Sequence, residues 1–288
     1  MANEVTTAAG SAGELVAAEI VSRLVIDAAY AGAVMPPLCR VADIGGETTK
    51  TVEFPKWPLL SAADLTEGTD ASNTAVNTTS VSVTADEAGL MITVTDLLLN
   101  SAVTGGLEPY ATELGKALAN KIDSDLLAEV ADFTNSVGTS GSNISEANFL
   151  SAIYTLENGN AVGPFVAVLH PIQVADLRAA LAATTGAVWG GTSAPGGDLG
   201  AMSSLYGVDI FQSTNCASVN SGDADRQGVM MPMGNQSGLA YVLKTGARTE
   251  FQRDASLRAT EIVVTAVYGD ECVNVAANGG VKIVTDHE

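Results

Sequence analysis

The chain has 288 residues, of which 47% are hydrophobic, so it is long enough to bury a sizeable core in one large domain or two smaller ones. Its 33 acidic and 13 basic residues give a formal charge of −20 at pH 7, and so acidic a surface argues against sequence-independent binding of DNA or RNA. No run approaches the ~18 apolar residues of a membrane span, and no secretory signal is visible, so we expect a soluble protein made in a cytoplasm. The acidity suits a protein that lies beside packed nucleic acid, and it equally suits an Ala-rich protein that needs charge for solubility.

The first predicted element is a helix over Glu14–Tyr30, where apolar residues recur at helical spacing. Pro36 and Pro37 follow it, and because proline pushes the preceding residue out of the α region, the helix must end before them.

Lys50–Thr95 predicts a long antiparallel arm, because alternating apolar and polar residues are typical of strands. The predicted strands are Thr48–Trp57, Ser80–Thr84 and Leu90–Thr95. Residues 86–89 interrupt the alternation and predict a bulge or bend. Residues 59–78 have no sustained period and predict an exposed tip, whose acidic residues are Asp64, Glu67 and Asp70.

The strongest helical pattern runs from Glu108 to Phe133, with Asp96 as the predicted N-cap of a short turn ahead of it. At 1.5 Å per residue this helix would be about 39 Å long, and its single apolar stripe predicts packing along a sheet. The Gly/Ser/Thr/Asn-rich stretch Thr134–Asn143 then predicts a domain junction.

Strands and helices alternate beyond this junction, which predicts an α/β lobe. The segments are a helix from Ser145 to Leu156, a buried strand at Pro164–His170, a helix from Pro171, a Gly-rich loop at 186–201, and strands at Tyr206–Gln212 and Val229–Met233.

The last third of the chain is β-prone and predicts an antiparallel sheet of four segments, namely Leu239–Leu243, Arg248–Arg253, Glu261–Tyr268 and Val281–Thr285. Four of the seven basic residues beyond residue 134 lie in Lys244–Arg258, which is the only locally basic segment.

Catalytic signatures are absent from the sequence, including the G-x-S-x-G, H-E-x-x-H and phosphate-loop patterns. Cys39, Cys216 and Cys272 have neither disulfide nor zinc spacing, which favours buried thiols. His170 follows a buried strand, where active sites occur, and Cys216 is a conceivable nucleophile, but neither has an evident partner. We therefore predict a protein that is not an enzyme and that has no cofactor or metal.

Four segments resemble the major capsid proteins of tailed bacteriophages with the Hong Kong 97 type of fold. In chain order they are YAGAVMPPL (Tyr30–Leu38), TVEFPKWP to DLTEGTD (Thr51–Asp70), TADEAGLMITVTDLL (Thr84–Leu98) and FVAVLHPIQVADLRAAL (Phe165–Leu181).

The resemblance implies an α+β fold in which the long helix is the spine of a peripheral domain. The implied parts are an N-terminal arm with a helix (1–47), an extended β-hairpin loop (48–95), the peripheral domain with its spine helix (96–144), an α/β axial domain (145–238) and strands that return to the peripheral domain (239–288).

The resemblance also implies pentamers and hexamers in an icosahedral shell that encloses double-stranded DNA without sequence-specific binding. It implies a virion protein made in the host bacterial cytoplasm, with a portal and in some members a decoration protein as partners. The predicted arm starts almost at Met1, so we expect a separate scaffolding protein. Some members cross-link through a lysine, and Lys56 lies in that region, but a solvated lysine is the simpler assignment.

Charge segregation suggests one specific contact between subunits. In this hypothesis the acidic tip of one subunit meets a neighbour's basic stretch, comprising Lys244, Arg248, Arg253 and Arg258, with Phe54 and Trp57 as apolar anchors. Alternatively, these charges are solvated or paired within one chain. Two other functions stay open, a non-viral shell or surface-array protein and a small α/β hydrolase.

Overall fold

The computed structural model describes residues 22–29, 32–57, 75–101, 108–184, 204–219 and 225–285, together with 60–62, 64–65, 67–68, 70 and 73. The helices in this part of the chain are α1 (22–29), α2 (Asp96–Ser101), α3 (Glu108–Ala128), α4 (Glu146–Asn158) and α5 (Pro171–Thr184), with 3-10 turns at Glu129–Asp132 and Gly234–Gln236. The strands are β1 (Arg40–Asp43), β2 (Thr51–Lys56), β3 (Thr79–Thr84), β4 (Asp86–Thr95), β5 (Ser136–Val137), β6 (Phe165–Leu169), β7 (Ser204–Leu205), β8 (Val208–Gln212), β9 (Arg226–Pro232), β10 (Leu239–Asp254), β11 (Ala259–Cys272) and β12 (Val281–Thr285). The predicted loop at 186–201 and the N-terminal part of the predicted first helix lie outside the described residues.

A four-stranded sheet with the order β1-β10-β11-β4 carries the long helix α3. The buried side chains of α3, including Leu118 and Leu126, share one core with Ile262 and Val264 of β11, as the single apolar stripe predicts. β10 and β11 pair antiparallel from Leu239 opposite Cys272 to Asp254 opposite Ala259. Two predicted strands, Leu239–Leu243 and Arg248–Arg253, are therefore one long strand with register shifts between Leu243 and Arg248.

The predicted arm from Lys50 to Thr95 divides between two sheets. β2 and β3 form a separate hairpin, whereas β4 pairs continuously with β11 from Asp86 opposite Tyr268 to Thr95 opposite Ala259. The predicted bend at 86–89 was therefore wrong, because these residues lie inside β4, and the break falls at the fully buried Ala85. The hairpin also shares a small core with the sheet, since Phe54 and Val83 pack with Val242.

A six-stranded sheet with the order β5-β12-β9-β6-β8-β7 forms the second layer. Alternate residues of β6 face different cores: Val166 and Val168 join the core of α3, and Ala167 and Leu169 join the core of α4 and α5. The predicted strand buried on both faces is confirmed. The predicted start of α4 is confirmed too, because the Ser145 hydroxyl accepts the Asn148 N–H at 3.2 Å.

β12 lies in a different sheet from the one the sequence predicts. It pairs antiparallel with β9 and parallel with β5, so it belongs to the six-stranded sheet and does not join β10 and β11. Gln173 of α5 links β9 and β12, because its buried amide donates to the Arg226 and Ile283 carbonyls at 2.9 and 3.2 Å.

The N-terminal segment is fastened to α3 by two close contacts. A Cβ at Gly115 of α3 would lie 2.5 Å from the Val25 carbonyl oxygen, so α1 packs backbone to backbone there. Eight residues further along α3, the buried Asp123 carboxylate accepts the N–H groups of Val34 and Met35 at 2.9 to 3.0 Å. These contacts hold the chain in place as it enters β1.

Candidate assembly surfaces

The acidic tip lies in the connection between the two strands of the β2–β3 hairpin. The register of the hairpin runs from Thr51 opposite Thr84 to Lys56 opposite Thr79, and residues 57–78 connect the two strands. The three predicted tip residues Asp64, Glu67 and Asp70 are all exposed. Trp57, at the start of this connection, is 70% exposed and is available to a partner.

Phe54 is not available as an intersubunit anchor, which corrects the prediction. Its side chain is only 6% exposed and packs in the core between the hairpin and β10. The Arg40 guanidinium covers the ring, with its central carbon 4.8 Å from the ring centroid. The alternation of apolar and polar residues along β2 turns this ring towards the chain's own sheet.

Three of the four residues of the predicted basic stretch have partners in their own chain. The Lys244 ammonium donates to the Glu47 and Thr49 carbonyls at 2.7 and 2.8 Å, and Arg248 pairs with Glu250. Arg253 donates to both oxygens of the Asp96 carboxylate at 2.6 Å, and this bonding lowers the pKa of Asp96. These three residues are therefore paired within their own chain, which was the alternative to a contact between subunits.

Asp96 has a different role from the predicted N-cap. It is the first residue of α2, and the Thr95 hydroxyl accepts the Leu98 N–H at 3.4 Å in the capping position. The Asp96 carboxylate instead fixes Arg253 of β10. Arg258, the fourth predicted basic residue, lies in the β10–β11 turn with φ of +50°, and its carbonyl accepts the Asp96 N–H at 2.9 Å.

A polar cleft of about 310 Å³ lies between the Lys56 end of β2, the start of β1 and the segments that follow α4, β9 and β11, and no pattern in the sequence predicts it. Its positive side chains are Arg40 and Lys56, and Trp57 lines one side. Its lining amides are Asn160, Asn235, Gln236, Asn274 and Asn278. These residues come from five segments spread over more than 200 positions, so no local pattern brings them together.

The cysteine thiols are poor candidates for chemistry. All three are buried, and burial raises the pKa of Cys216 and of Cys272 to about 12 each and that of Cys39 further. Cys216 is therefore a thiol at neutral pH, so the conceivable nucleophile of the sequence lacks the reactive thiolate. The His170 Nδ1 accepts the Ile172 N–H at 3.2 Å, which is a structural role at the start of α5. His287 lies outside the described residues.

An acidic cluster lies where α3 ends beside β11. Carboxylate oxygens of Glu129, Asp132 and Glu271 approach within 4.8 Å of one another. Glu129 also accepts the Cys272 N–H at 3.3 Å. Burial first, and then the charges of Glu271 and Asp270, raise the pKa of Glu129 to about 7. Burial and the Asp125 charge raise the pKa of Asp270 to about 6.

We expect this cluster to make the folded chain more stable at pH 5.5 than at pH 8. The pKa of Glu129 in the folded chain lies above its ordinary value of 4.5, so at pH 5.5 the folded chain holds a proton that the unfolded chain has already released, and the folded chain loses this proton by pH 8. This contribution is complete below about pH 4.5 and is lost as pH rises through about 7. Allowing for solvent screening, Glu129→Gln should add about 1 kcal/mol at pH 8 and much less at pH 5.5.

Urea unfolding of both proteins at the two pH values measures this effect. Glu113→Gln is the matched control, since Glu113 is exposed and paired with Lys116 at 2.9 Å. An equal pH dependence in wild type and Glu129→Gln would contradict the assignment.

No helix in the described segments is both long and apolar enough to cross a membrane.

Comparison with known families gives one match that covers most of the chain. The model of a family described as phage capsid protein matches residues 62–283. No curated protein matches the sequence.

Several solved capsid structures have the same fold as this chain. The capsid of cyanophage P-SCSP1u is 14% identical, with a TM-score of 0.65 over 89% of each chain. A structure of Mycobacterium phage Che8 is 23% identical, with a TM-score of 0.61 over 81% of this chain and 84% of that one. A virus-like particle from Pyrococcus furiosus is 12% identical, with a TM-score of 0.58 over 92% of this chain and 98% of that one.

Proposed function

Since this chain belongs to the phage capsid protein family and has the fold of phage capsids, it is a major capsid protein, and we propose that it assembles as pentamers and hexamers into an icosahedral shell around double-stranded DNA. The family match over residues 62–283 carries this proposal. The buried thiols and the structural role of His170 support a protein that acts through its surfaces and not through catalysis.

The proposed division of the chain follows the two sheets. We assign 1–47 to an N-terminal arm, 48–84 to the extended loop, and the four-stranded sheet with α3 to a peripheral domain. The axial domain comprises α4, α5 and the six-stranded sheet. This assignment moves β5 and β12 to the axial domain, because they pair with each other and β12 pairs with β9.

The proposed partners follow from the same family. A separate scaffolding protein would guide assembly, a portal would occupy one vertex, and a decoration protein is an optional partner. The charge of −20 supports enclosure of DNA without adhesion to it, because like charges repel across the inner surface. Synthesis in the host bacterial cytoplasm, followed by incorporation into the virion, completes the proposal.

The similarity to the Pyrococcus furiosus virus-like particle supports a second candidate, a shell that does not package a phage genome. Shells purified from infected cells distinguish the two functions: genome-length DNA supports the first, and shells that always lack nucleic acid support the second.

Assembly itself tests the proposal most directly. We expect negative-stain microscopy of the full chain, co-expressed with its neighbouring gene products, to show capsomers or closed shells. Flat sheets would support a surface array instead, and a chain that stays monomeric under every condition would overturn the proposal.

Reversing charge at the acidic tip is expected to block assembly without unfolding the subunit. Glu67 and Asp70 are exposed, so Glu67→Lys with Asp70→Lys disturbs no buried contact, whereas a neighbour's basic surface would then meet like charge. The measurement is the sedimenting fraction of the variant beside wild type, with circular dichroism as the control for folding. Normal shells from the variant would contradict the role of the tip.

A further inference from the structure

We propose that the polar cleft beside Lys56 and Trp57, at the end of the hairpin where the 57–78 connection begins, receives the acidic tip of a second copy of this chain. The inference rests on the proposed function, because only an assembling subunit needs a neighbour. It assigns a receiving site different from the basic stretch that the sequence suggests.

The charge of the cleft is the first argument. In a chain of net charge −20, Arg40 and Lys56 converge on one cleft whose described lining residues include no carboxylate side chain. Arg40 is held in place by its contact with the Phe54 ring. Within the described residues neither cation takes part in a salt bridge. Two unpaired cations facing one cavity favour an anionic occupant.

The amides of the cleft are the second argument. Carboxamide NH2 groups donate hydrogen bonds, and a carboxylate accepts several at once. The Asn274 amide donates to the Asn278 carbonyl oxygen at 3.1 Å, and this bond leaves the Asn278 NH2 group as a donor for an occupant. Together with Asn160, Asn235 and Gln236, it supplies neutral donors beside the two cations. This combination of two cations and neutral amide donors suits the carboxylate of an acidic side chain.

The acidic tip is the occupant that the chain itself supplies. Residues 57–78 connect β2 to β3, and about 11 residues of extended chain, half of this connection, span at most roughly 35 Å. Asp64, Glu67 and Asp70 are exposed along this connection. By contrast, Lys244, Arg248 and Arg253 of the basic stretch are already bound within their own chain.

A charge exchange tests the pairing in assembled material. Lys56→Glu should reduce the sedimenting fraction several-fold, and combining it with Glu67→Lys and Asp70→Lys should restore part of what the tip reversal removes. Lys50→Glu is the matched control: Lys50 is exposed on the same hairpin but does not line the cleft, so assembly should stay within twofold of wild type. Rescue by Lys244→Glu instead of Lys56→Glu would overturn the assignment.

A binding measurement tests the cleft without assembly. The chain has two tryptophans, Trp57 and Trp189, so in a Trp189→Phe background the emission comes from Trp57 at the cleft. A synthetic peptide of residues 59–78 should change this emission saturably, and Lys56→Glu should weaken binding about tenfold while Lys50→Glu changes it less than twofold. A peptide with lysine at 64, 67 and 70 should not bind.

These results separate the two claims. If wild type forms shells but the peptide binds the Lys56→Glu chain as tightly as the parent, the cleft assignment is wrong and the capsid function stands. If the peptide binds as expected but no assembly ever forms, the receiving site is supported and the shell function fails.

Discussion

Phe133→Ala is expected to lower the free energy of unfolding by about 3–5 kcal/mol, a large share of the stability of an ordinary domain. The ring is 1% exposed and lies in the core shared by α3 and both sheets. Two glycines allow it to lie there: a Cβ at Gly280 would be 2.4 Å from its tip, and a Cβ at Gly238 would be 2.6 Å from its edge. Gly238 precedes β10 and Gly280 precedes β12, so the ring packs between the chain segments that enter the two sheets.

A double-mutant cycle checks this explanation. Gly280→Ala should lower the free energy of unfolding by about 1–3 kcal/mol, because the added methyl group would overlap the Phe133 ring. In a Phe133→Leu background the added methyl group has more room, so the two costs should sum to less than their independent total. Urea unfolding of the four proteins provides the free energies. Strict additivity would mean that the two residues do not compete for the same space.

Asp123→Ala is expected to cost about 2–4 kcal/mol, because it leaves the N–H groups of Val34 and Met35 without an acceptor in a buried site. The carboxylate is 2% exposed, and its distances to these donors are 2.9 to 3.0 Å. Burial raises the pKa of Asp123 although both hydrogen bonds oppose that change. Asp123→Asn keeps one acceptor oxygen without the charge and should cost about half as much.

Two measurements make this prediction specific. Urea unfolding gives the loss of stability, and amide hydrogen exchange at Val34 and Met35 should show where it arises. Ser124→Ala, on the exposed side of the same helix, is the matched control and should lie within about 0.5 kcal/mol of wild type. If exchange at Val34 and Met35 is unchanged in Asp123→Ala, the carboxylate does not fasten this segment.

The same two residues show why the sequence could not supply these contacts. Periodicity places Phe133 at the end of the long helical pattern, and it predicts burial. Nothing near position 133 indicates that Gly238 and Gly280 make room for its ring. Asp123 lies within the predicted helix among residues that separate the apolar stripe, which by pattern alone is a solvated position.

The residues of the candidate assembly surfaces also differ in how far the sequence predicts them. The acidic tip follows from local composition, since Asp64, Glu67 and Asp70 lie in a segment without hydrophobic periodicity, and the structure leaves them exposed. The basic stretch was equally visible in the sequence, but the structure gives three of its four residues partners in their own chain. Exposure can be inferred locally, whereas the pairing of a charge depends on which distant segments the fold brings within a few ångströms.

The pattern of residues was enough to predict the long helix, the doubly buried strand β6 and the family resemblance, because hydrophobic periodicity and turn residues act over a few positions. Four further features are evident only in the folded chain: β4 leaves the arm, β12 joins β9, Phe54 faces its own sheet under Arg40, and cations and amides from five segments line one cleft. Each of these depends on pairing between segments far apart in the chain, where many partners would satisfy the same alternation of residues and only the packed core selects one.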